Sequence, residues 1–206
     1  MSDDNSQKIT EEALNDNPSA QFELGQLYEF GKGMAQDYAE AMKWYQKAAT
    51  SNHATDNAII AKAQYSIALL YEQGRGVEID YEKAAEYYQQ AAQKGDAWAM
   101  NNLAYLYSHG RGVEQNDDLA QQWYHRAAQL GHFQSQYNLA ARYAAGRGVD
   151  VDLVSAYFWF ERSKMTATAL NTERANKMQE IIKEHMTEEQ IQEAQDRYNQ
   201  LFTPID

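Results

Sequence analysis

Apolar and small residues recur along this chain at steps of three and four, the spacing that places side chains on one face of an α-helix. This pattern is interrupted at four Gly-x-Gly triplets, which begin at Gly31, Gly74, Gly110 and Gly146. Successive triplets lie 43, 36 and 36 residues apart. A nearly fixed period in this range is typical of stacked helical units that share a continuous core.

The segment before each triplet predicts an amphipathic helix. A tyrosine, a branched aliphatic residue and a small residue recur three, seven and eleven positions before each first glycine, and steps of four keep them on one side of a helix. In chain order they are Tyr28, Leu24 and Ala20; Tyr71, Ile67 and Ala63; Tyr107, Leu103 and Ala99; and Tyr143, Leu139 and Ser135. We expect these residues to form the buried stripe. Gly25 stands where the other copies have alanine, which predicts a close helix–helix contact.

The segment after each triplet predicts a second helix. Its expected N-cap residues are Asp37, Asp80, Asn116 and Asp152. Glu40 follows Asp37 by three residues, as in a capping box. Each second helix then carries an alanine and a pair of aromatic residues. The pairs are Trp44-Tyr45, Tyr87-Tyr88, Trp123-Tyr124 and Trp159-Phe160. We expect the first aromatic of each pair to pack in the core rather than to stack on a ligand.

Composition and charge narrow the classes of partner. The 206 residues are 44% hydrophobic, and 30 acidic residues outnumber 18 basic ones, for a net charge of -12. Nucleic acids and anionic membranes are bound through clustered cations, so neither is an expected partner. No segment approaches the roughly 20 apolar residues of a membrane span, and residues 1–6 lack the features of a signal peptide. We therefore expect a cytoplasmic protein with no membrane insertion.

Motifs for catalysis or ligand binding are sparse. The chain has no cysteine, which excludes thiol catalysis, disulfides and Cys-ligated zinc. The histidines are His53, His109, His125, His132 and His185. They form no His-x-x-x-His pair, and no serine stands three residues before a lysine. The glycine triplets lack the preceding strand of a phosphate-binding loop, so repeat geometry explains them better. The sequence predicts no catalytic residue, no cofactor and no metal.

The repeated pattern resembles the Sel-one-like repeat (SLR) family, whose members are related to tetratricopeptide repeats. The family pattern is roughly Ala-x-x-x-Leu-Gly-x-x-Tyr, Gly-x-Gly-Val, Asp-x-x-x-Ala and Trp-Tyr-x-x-Ala-Ala, and residues 99–128 match it almost throughout. Ala104 and Asn116 stand where glycine and aspartate are usual. The resemblance implies an all-α fold, a right-handed α/α solenoid of four helix-turn-helix repeats with a C-terminal helical cap. The fourth copy departs most, with Arg142 at a leucine position, as expected where an array ends.

The resemblance and the helix pattern divide the chain into three segments. Residues 1–17 are predicted to be a flexible N-terminus with a short helix over 7–16. Residues 18–165 hold the repeats, at about 18–50, 55–95, 97–131 and 133–165. Residues 166–206 are predicted to form capping helices, the last of which begins with a capping box at residues 187–190. The helix before it carries apolar residues at helical spacing as its expected stripe: Leu170, Ala175, Met178, Ile181, Ile182 and Met186. An insertion of seven residues between Ala49 and Ala63 explains the longer first spacing, and Thr55 is a candidate N-cap within it.

The face of each first helix opposite the buried stripe carries the candidate binding residues. In tetratricopeptide-like solenoids this face lines a concave groove, so the resemblance implies a binding surface here. The predicted partner-binding residues are Phe22, Gln26, Lys62, Tyr65, Glu72, Trp98, Asn101, Tyr105, Gln134 and Tyr137. Aromatic anchors beside polar groups are characteristic of protein recognition. The alternative is that tight curvature buries these rings against facing first helices. Trp98 is the most informative residue, because the other copies carry polar residues at its position.

These observations indicate a non-enzymatic protein–protein interaction module that binds a peptide or a partner surface in its concave groove. The acidic flanks of the groove favour a basic partner. Members of the family that this chain resembles often act as bacterial adaptors or scaffolds. The alternative function is an immunity protein that neutralises a secreted toxic effector by direct binding. Neither interpretation fixes an oligomeric state.

Overall fold

The protein is built from α-helices. The computed structural model describes residues 2–50, 57–165 and 167–202, and these residues contain no β-strand. Their helices are α1 Ser2–Leu14, α2 Pro18–Phe30, α3 Tyr38–Ala49, α4 Asn57–Gln73, α5 Tyr81–Gln93, α6 Ala97–His109, α7 Asp117–Gln129, α8 Phe133–Ala145, α9 Leu153–Lys164, α10 Ala169–Lys183 and α11 Glu188–Asn199, followed by a 3-10 turn at Gln200–Phe202. The predicted all-α fold is confirmed. The chain divides into two compact units, Met1–Glu114 and Gln115–Asp206.

The helices follow the predicted repeat. Each Gly-x-Gly triplet separates a first helix from a second helix: α2 from α3, α4 from α5, α6 from α7 and α8 from α9. Within the first unit every helix from α1 to α6 packs against the next one along the chain. Within the second unit α7 packs against α8, and α8 packs against α9. The prediction of four helix-turn-helix repeats is therefore confirmed.

Polar caps and left-handed glycines fix the helix ends. The predicted N-cap residues are confirmed, because the side chains of Asp37, Asp80, Asn116 and Asp152 all accept hydrogen bonds from first-turn N–H groups. Gly31 ends α2 with a φ of 64°, a conformation that disfavours any residue with a Cβ atom. The capping box predicted at Glu40 is wrong. Asp37 accepts from the Glu40 N–H, but the reciprocal bond is missing, because the Asp37 N–H donates to the Tyr28 carbonyl and the Glu40 carboxylate accepts from Lys43 Nζ at 2.5 Å.

The second glycine of each triplet brings the turn close to the preceding second helix. A Cβ atom on Gly76 would lie 2.6 Å from Tyr38 Cβ at the start of α3, and one on Gly148 would lie 2.6 Å from the Asp117 carbonyl oxygen at the start of α7. The triplet is therefore a contact between successive repeats as well as a turn. Gly33 contacts Ser6 in the same way, so α1 occupies the place of a preceding second helix.

The predicted buried stripe of the first helices is confirmed at its aliphatic and small positions, but its tyrosines are only half-buried: Tyr28, Tyr71, Tyr107 and Tyr143. Leu24, Ile67, Leu103 and Leu139 are at most 1% exposed. Alanines beside them let the helices approach each other closely. Gly25 makes the closest contact, because a Cβ atom there would lie 2.6 Å from two ring atoms of Tyr45. The predicted helix–helix contact at Gly25 is thus confirmed.

The predicted core position of the aromatic pairs needs a correction. The second aromatic of each pair fills the core, since Tyr45, Tyr88 and Phe160 are fully buried and Tyr124 is nearly so. Three of the first aromatics, Trp44, Tyr87 and Trp123, are only half-buried. A cation three residues later covers two of these rings, Lys47 over Trp44 and Arg126 over Trp123. Adjacent residues of a helix are rotated by about 100° from each other. When one aromatic residue of a pair points into the core, the other therefore points towards the edge of the buried face.

Trp159 is the exception among the first aromatics, because it is buried and meets the His125 ring of α7 edge-on at 5.8 Å. Both α10 and α11 pack against α9, and every residue from Val154 to Phe160 is buried. The predicted capping box that starts the last helix is confirmed, with Thr187 and Gln190 exchanging hydrogen bonds. The stripe predicted for α10 is partly wrong. Ala175 and Ile182 are buried, but Leu170 and Ile181 are exposed.

The N-terminal helix α1 packs against the first helix of the first repeat. Ile9 and Ala13 of α1 pack with Ala20 and Leu24 of α2. The helix begins at Ser2, earlier than the sequence indicates. The candidate cap Thr55 and most of the seven-residue insertion lie outside the described residues. The helix that follows, α4, has 17 residues, whereas α2 and α6 have 13.

Candidate protein-interaction surface

The predicted binding residues fall on first helices in both compact units. In the first unit, Phe22 and Gln26 lie on α2, Lys62, Tyr65 and Glu72 lie on α4, and Trp98, Asn101 and Tyr105 lie on α6. In the second unit, Gln134 and Tyr137 lie on α8. Lys62, Tyr65, Glu72, Trp98, Asn101 and Tyr105 together make up what we call the α4–α6 face. Hydrogen bonds through Tyr88 of α5 and Asn102 of α6 connect three of these residues, Tyr65, Glu72 and Asn101.

Three of the predicted aromatic residues pack on core rings of their own repeat. The ring centroids of Phe22 and Tyr45 are 5.5 Å apart, and those of Tyr65 and Tyr88 are 5.8 Å apart. In the second unit Tyr137 meets Phe160 edge-on at 5.3 Å. These predicted residues are half-buried, so they stabilise the fold whatever they bind. Their ring partners come from the second helix rather than from a facing first helix.

A hydrogen-bonded chain of side chains supports the α4–α6 face. The Tyr88 hydroxyl on α5 donates to Glu72 Oε2 at 2.5 Å and accepts from Asn102 Nδ2 at 3.0 Å. Asn102 Oδ1 in turn accepts from Asn101 Nδ2 at 3.1 Å. Asn102 also hydrogen-bonds with Tyr65. One buried hydroxyl thereby connects a carboxylate on α4 with two amides on α6.

The first repeat contains the same arrangement. The Tyr45 hydroxyl donates to Glu29 Oε2 at 2.5 Å and hydrogen-bonds with Ser66 of the next repeat. Burial, followed by the Glu29 hydrogen bond, raises the pKa of Tyr45 well above its usual value. Burial, followed by the charge of Glu72, does the same to the pKa of Tyr88. Both hydroxyls therefore remain protonated donors at any physiological pH.

Two acidic side chains, Asp96 and Glu72, act on the Tyr65 hydroxyl through their charges. Burial and then the charges of Asp96 and Glu72 raise the pKa of Tyr65 to about 12. Burial also raises the pKa of Asp96, although hydrogen bonds from the Ala99 and Trp98 N–H groups and the charge of Lys62 oppose this shift. The charge of Lys62 on α4 therefore acts on Asp96, the N-cap of α6.

Trp98 and Tyr105 are the aromatic side chains of α6 on this face. Trp98 is 52% exposed, although large apolar residues elsewhere in α6 are buried. Tyr105 is half-buried and lies against the His109 ring, with centroids 4.1 Å apart. The guanidinium of Arg111 lies 5.4 Å from the Tyr105 ring and 5.8 Å from the Tyr81 ring.

The two predicted residues of the second unit have a different setting. Gln134 and Tyr137 line a small cleft together with Phe133, Ser163, Asn171 and Arg174. Arg174 of α10 lies over the Tyr137 ring at 5.3 Å, and Gln134 donates to Asn138 at 3.1 Å. The capping helix therefore covers part of the face that the sequence predicts for binding.

Sequence reasoning missed the residues that make the hydrogen-bonded chains. Glu29 and Tyr45 are 16 residues apart, and so are Glu72 and Tyr88. In the fourth repeat Ala144 and Phe160 replace both partners, whereas the third repeat has Ser108 at the glutamate position but keeps Tyr124. The two positions therefore do not change together in every copy. Asn102 lies one residue beyond the predicted face, at the repeat position of Ser66, and its role follows only from packing.

The described residues contain no group of three histidine, aspartate or glutamate side chains that could hold a metal ion. None of their helices combines the length and the apolar character needed to cross a bilayer.

Helix pairs joined by Gly-x-Gly turns and repeated along the chain define the class of α/α repeat proteins. The model of the Sel1 repeat matches residues 18–53, 61–96, 99–132 and 133–165. The chain therefore belongs to the Sel1 repeat family, which confirms the resemblance seen in the sequence. Sel1 repeat proteins generally mediate protein–protein interactions, and their fold is typically a non-enzymatic module.

Solved structures agree with this assignment. A Sel1 repeat protein from Oxalobacter formigenes is 32% identical, with a TM-score of 0.72, over 81% of this chain and 63% of that one. The protective antigen c5321 from uropathogenic Escherichia coli is 31% identical, with a TM-score of 0.76, over 92% of this chain and 40% of that one. This chain thus covers less than two thirds of either relative. A comparison with curated proteins found no match.

A more distant likeness concerns the fold alone. The immunity protein Pa5087 from Pseudomonas aeruginosa is 18% identical, with a TM-score of 0.51, over 77% of this chain and 56% of that one.

Proposed function

We propose that this protein is a non-enzymatic interaction module that binds a peptide or a protein surface through the α4–α6 face, as an adaptor or scaffold. The observation that carries the proposal is the exposure of Trp98 on that face. Large exposed aromatic side chains cost solvation free energy, and tryptophan dominates the binding energy of many protein interfaces. A partner that covers the indole would recover this free energy.

The groups around Trp98 favour binding because they are already held in place. Asn101 and Asn102 are tied to each other and to Tyr88, so their amides have little rotational freedom left to lose. Side-chain amides can both donate to and accept from a partner's backbone. Tyr105 adds a second aromatic surface on the same helix. This combination of aromatic anchors and ordered polar groups is typical of protein-binding sites.

Substitution of the two anchors tests the proposal. We expect Trp98→Ala and Tyr105→Ala each to weaken partner binding by ~2 kcal/mol or more, while the melting temperature changes little for Trp98→Ala. The measurement is capture of partners from a lysate of the source organism by the immobilised protein, followed by titration of each captured partner. Leu14→Ala, which removes an exposed apolar side chain from α1, is the matched control. Equal capture by wild type and the Trp98→Ala variant would refute the α4–α6 face.

The identity of the captured partner separates the two functions considered. An adaptor or scaffold binds components of a complex, whereas an immunity protein binds a toxic effector and neutralises it. The likeness to Pa5087 supports a fold that can serve immunity and does not favour that role for this chain. A toxic effector lost on Trp98→Ala would assign immunity, and any other partner lost in the same way would assign an adaptor or scaffold.

A further inference from the structure

Resting on the proposed function, we infer that Glu72 is the specificity position of the α4–α6 face and that it pairs with a basic side chain, arginine or lysine, of the bound partner. Glu72 and Glu29 occupy equivalent positions in successive repeats, but their surroundings differ.

Glu29 forms an ion pair with a basic residue of the same chain. It is 8% exposed, its Oε2 accepts from Tyr45, and its Oε1 lies 3.8 Å from Arg75 Nη1. Arg75 is the central residue of the second Gly-x-Gly triplet, one repeat further along the chain. A carboxylate removed from water is costly unless a cation or several hydrogen bonds compensate for it. Arg75 provides part of that compensation.

Glu72 has the same tyrosine but lacks the cation. Its Oε2 accepts from Tyr88, and within the described part of the chain it makes no ion pair. The equivalent arginine is Arg111 of the third triplet, and its guanidinium lies over the rings of Tyr81 and Tyr105 instead. The charge of Lys62, the basic residue of this face, acts on Asp96 at the N-cap of α6. Glu72 is therefore a half-buried carboxylate without the ion pair that Glu29 makes.

The surroundings of Glu72 suit a basic side chain. Tyr88 fixes one carboxylate oxygen, which leaves the other oxygen to accept a hydrogen bond from a guanidinium or an ammonium group. The Tyr65 hydroxyl feels the negative charges of Glu72 and Asp96 together. Aromatic rings on this face can also contact the alkyl part or the charge of a basic side chain. The net charge of -12 adds a general attraction for a basic partner.

Selection from a random peptide library tests the inference. Phage-displayed octapeptides are selected on the immobilised full-length wild type, on Glu72→Gln and on Trp98→Ala. Gln retains the oxygen that accepts from Tyr88, so Glu72→Gln removes the charge with little change in shape. Glu86→Gln, an exposed carboxylate of α5, is the control for a change of net charge. We expect wild type and Glu86→Gln to enrich arginine or lysine at one peptide position, and Glu72→Gln to lose that preference.

A double-mutant cycle then measures the contact itself. For the best wild-type peptide, replacing its selected basic residue by glutamine should weaken binding about tenfold or more. The same replacement should have little effect on binding to Glu72→Gln, because the contact is already lost. Additive losses would overturn the pairing of Glu72 with that residue.

The outcomes of the selection distinguish a failure of the pairing at Glu72 from a failure of the proposed function. Peptides that require Trp98 but show no basic preference, or a preference that survives Glu72→Gln, overturn the inference and leave the proposed function standing. Peptides that bind equally to Trp98→Ala, or no selected peptides at all, count against the proposed function and with it the inference. Circular dichroism checks that Glu72→Gln folds. If it does not fold, Glu72→Asp replaces it in the selection. Aspartate retains the charge on a shorter side chain, so this variant should show a weaker preference for a basic residue.

Discussion

At the scale of single residues, the hydroxyl of Tyr88 holds the α4–α6 face together. It donates to Glu72 and accepts from Asn102, so its removal leaves two partly buried polar groups without their shared partner. We expect Tyr88→Phe to lower the free energy of unfolding by about 1–3 kcal/mol, measured by urea denaturation. The double variant Glu72→Ala/Tyr88→Phe, which copies the pair found in the fourth repeat, should lose less than the sum of the single changes. A fully additive result would contradict the coupling.

His132 predicts a pH dependence of stability. It is the N-cap of α8, where its Nδ1 accepts from the Ser135 N–H, and burial lowers its pKa to about 4. The folded pKa lies below the unfolded value of about 6.5, so the unfolded state binds the proton more tightly. The contribution of His132 is therefore complete above pH 6.5 and is lost as the pH falls towards 4, by about 2–3 kcal/mol.

The control for this prediction is His132→Asn, because Asn17 caps α2 at the equivalent position. The variant should keep the cap and lose its part of the pH dependence between pH 6.5 and 4. Unfolding free energies measured by urea denaturation across that range test the difference between the two proteins. Parallel pH profiles for wild type and variant would show that His132 does not titrate as described.

Much of the residue-scale account could be predicted from the sequence, and the failures share a cause. N-caps such as Asp80 and the contact at Gly25 depend on local geometry or on one neighbouring helix, and both were predictable. The core position within each aromatic pair was not, because helical phase alone does not separate adjacent residues such as Trp44 and Tyr45. The hydrogen bonds of Tyr88 to Glu72 and Asn102 join three helices, so only packing reveals them.

At the scale of the elements, the second glycine of each triplet sets how closely successive repeats approach. A Cβ atom on Gly112 would overlap the Tyr81 carbonyl group at the start of α5. We expect Gly112→Ala to cost ~1 kcal/mol for its positive φ and a further ~1–3 kcal/mol for the overlap. Gly95→Ala is the matched control, because Gly95 also has a positive φ but no atom within 4 Å of the added Cβ. Thermal unfolding of both variants should rank Gly112→Ala as clearly less stable, and equal losses would contradict the close approach.

The aromatic pairs provide a second element-scale prediction. Tyr45 is fully buried between α2 and α3, whereas Trp44 is half-buried under Lys47. We expect Tyr45→Ala to destabilise the fold by ~3–5 kcal/mol and Trp44→Ala to destabilise it by less, despite the larger side chain of tryptophan. Chemical denaturation of the two variants provides the comparison. A larger loss for Trp44→Ala would restore the assignment made from the sequence alone.

The repeat pattern does not predict which residues of the C-terminal helix α10 are buried. The stripe expected for α10 includes Leu170 and Ile181, which are exposed, because α10 contacts α9 through the narrower row of Ala175, Gln179 and Ile182. A repeat predicts its own packing from four in-phase copies. A capping helix occurs once, so its contact row depends on the surface that it covers.

At the scale of the whole molecule, the excess of acidic residues predicts how binding responds to salt. If the partner is basic, long-range attraction speeds association, and added salt screens it. We expect the association rate to fall as ionic strength rises from 50 to about 500 mM (conditions chosen to span strong and weak screening), with a smaller change in the dissociation rate. Surface plasmon resonance on a captured partner measures both rates. If added salt changes the dissociation rate more than the association rate, the charges that matter lie within the binding interface and not on the surrounding surface.

The central claim is that the α4–α6 face is the surface that meets the partner. Site-specific photo-crosslinking tests it most directly, with a benzophenone amino acid replacing the exposed Lys62 of this face in one variant and the exposed Gln89 of α5 in another, so that Trp98 is retained in both. The account predicts a discrete crosslinked partner from position 62 and none from position 89, when both variants are exposed to the same lysate and fold equally well. Crosslinks from position 89 alone, or the same products from both positions, would contradict it.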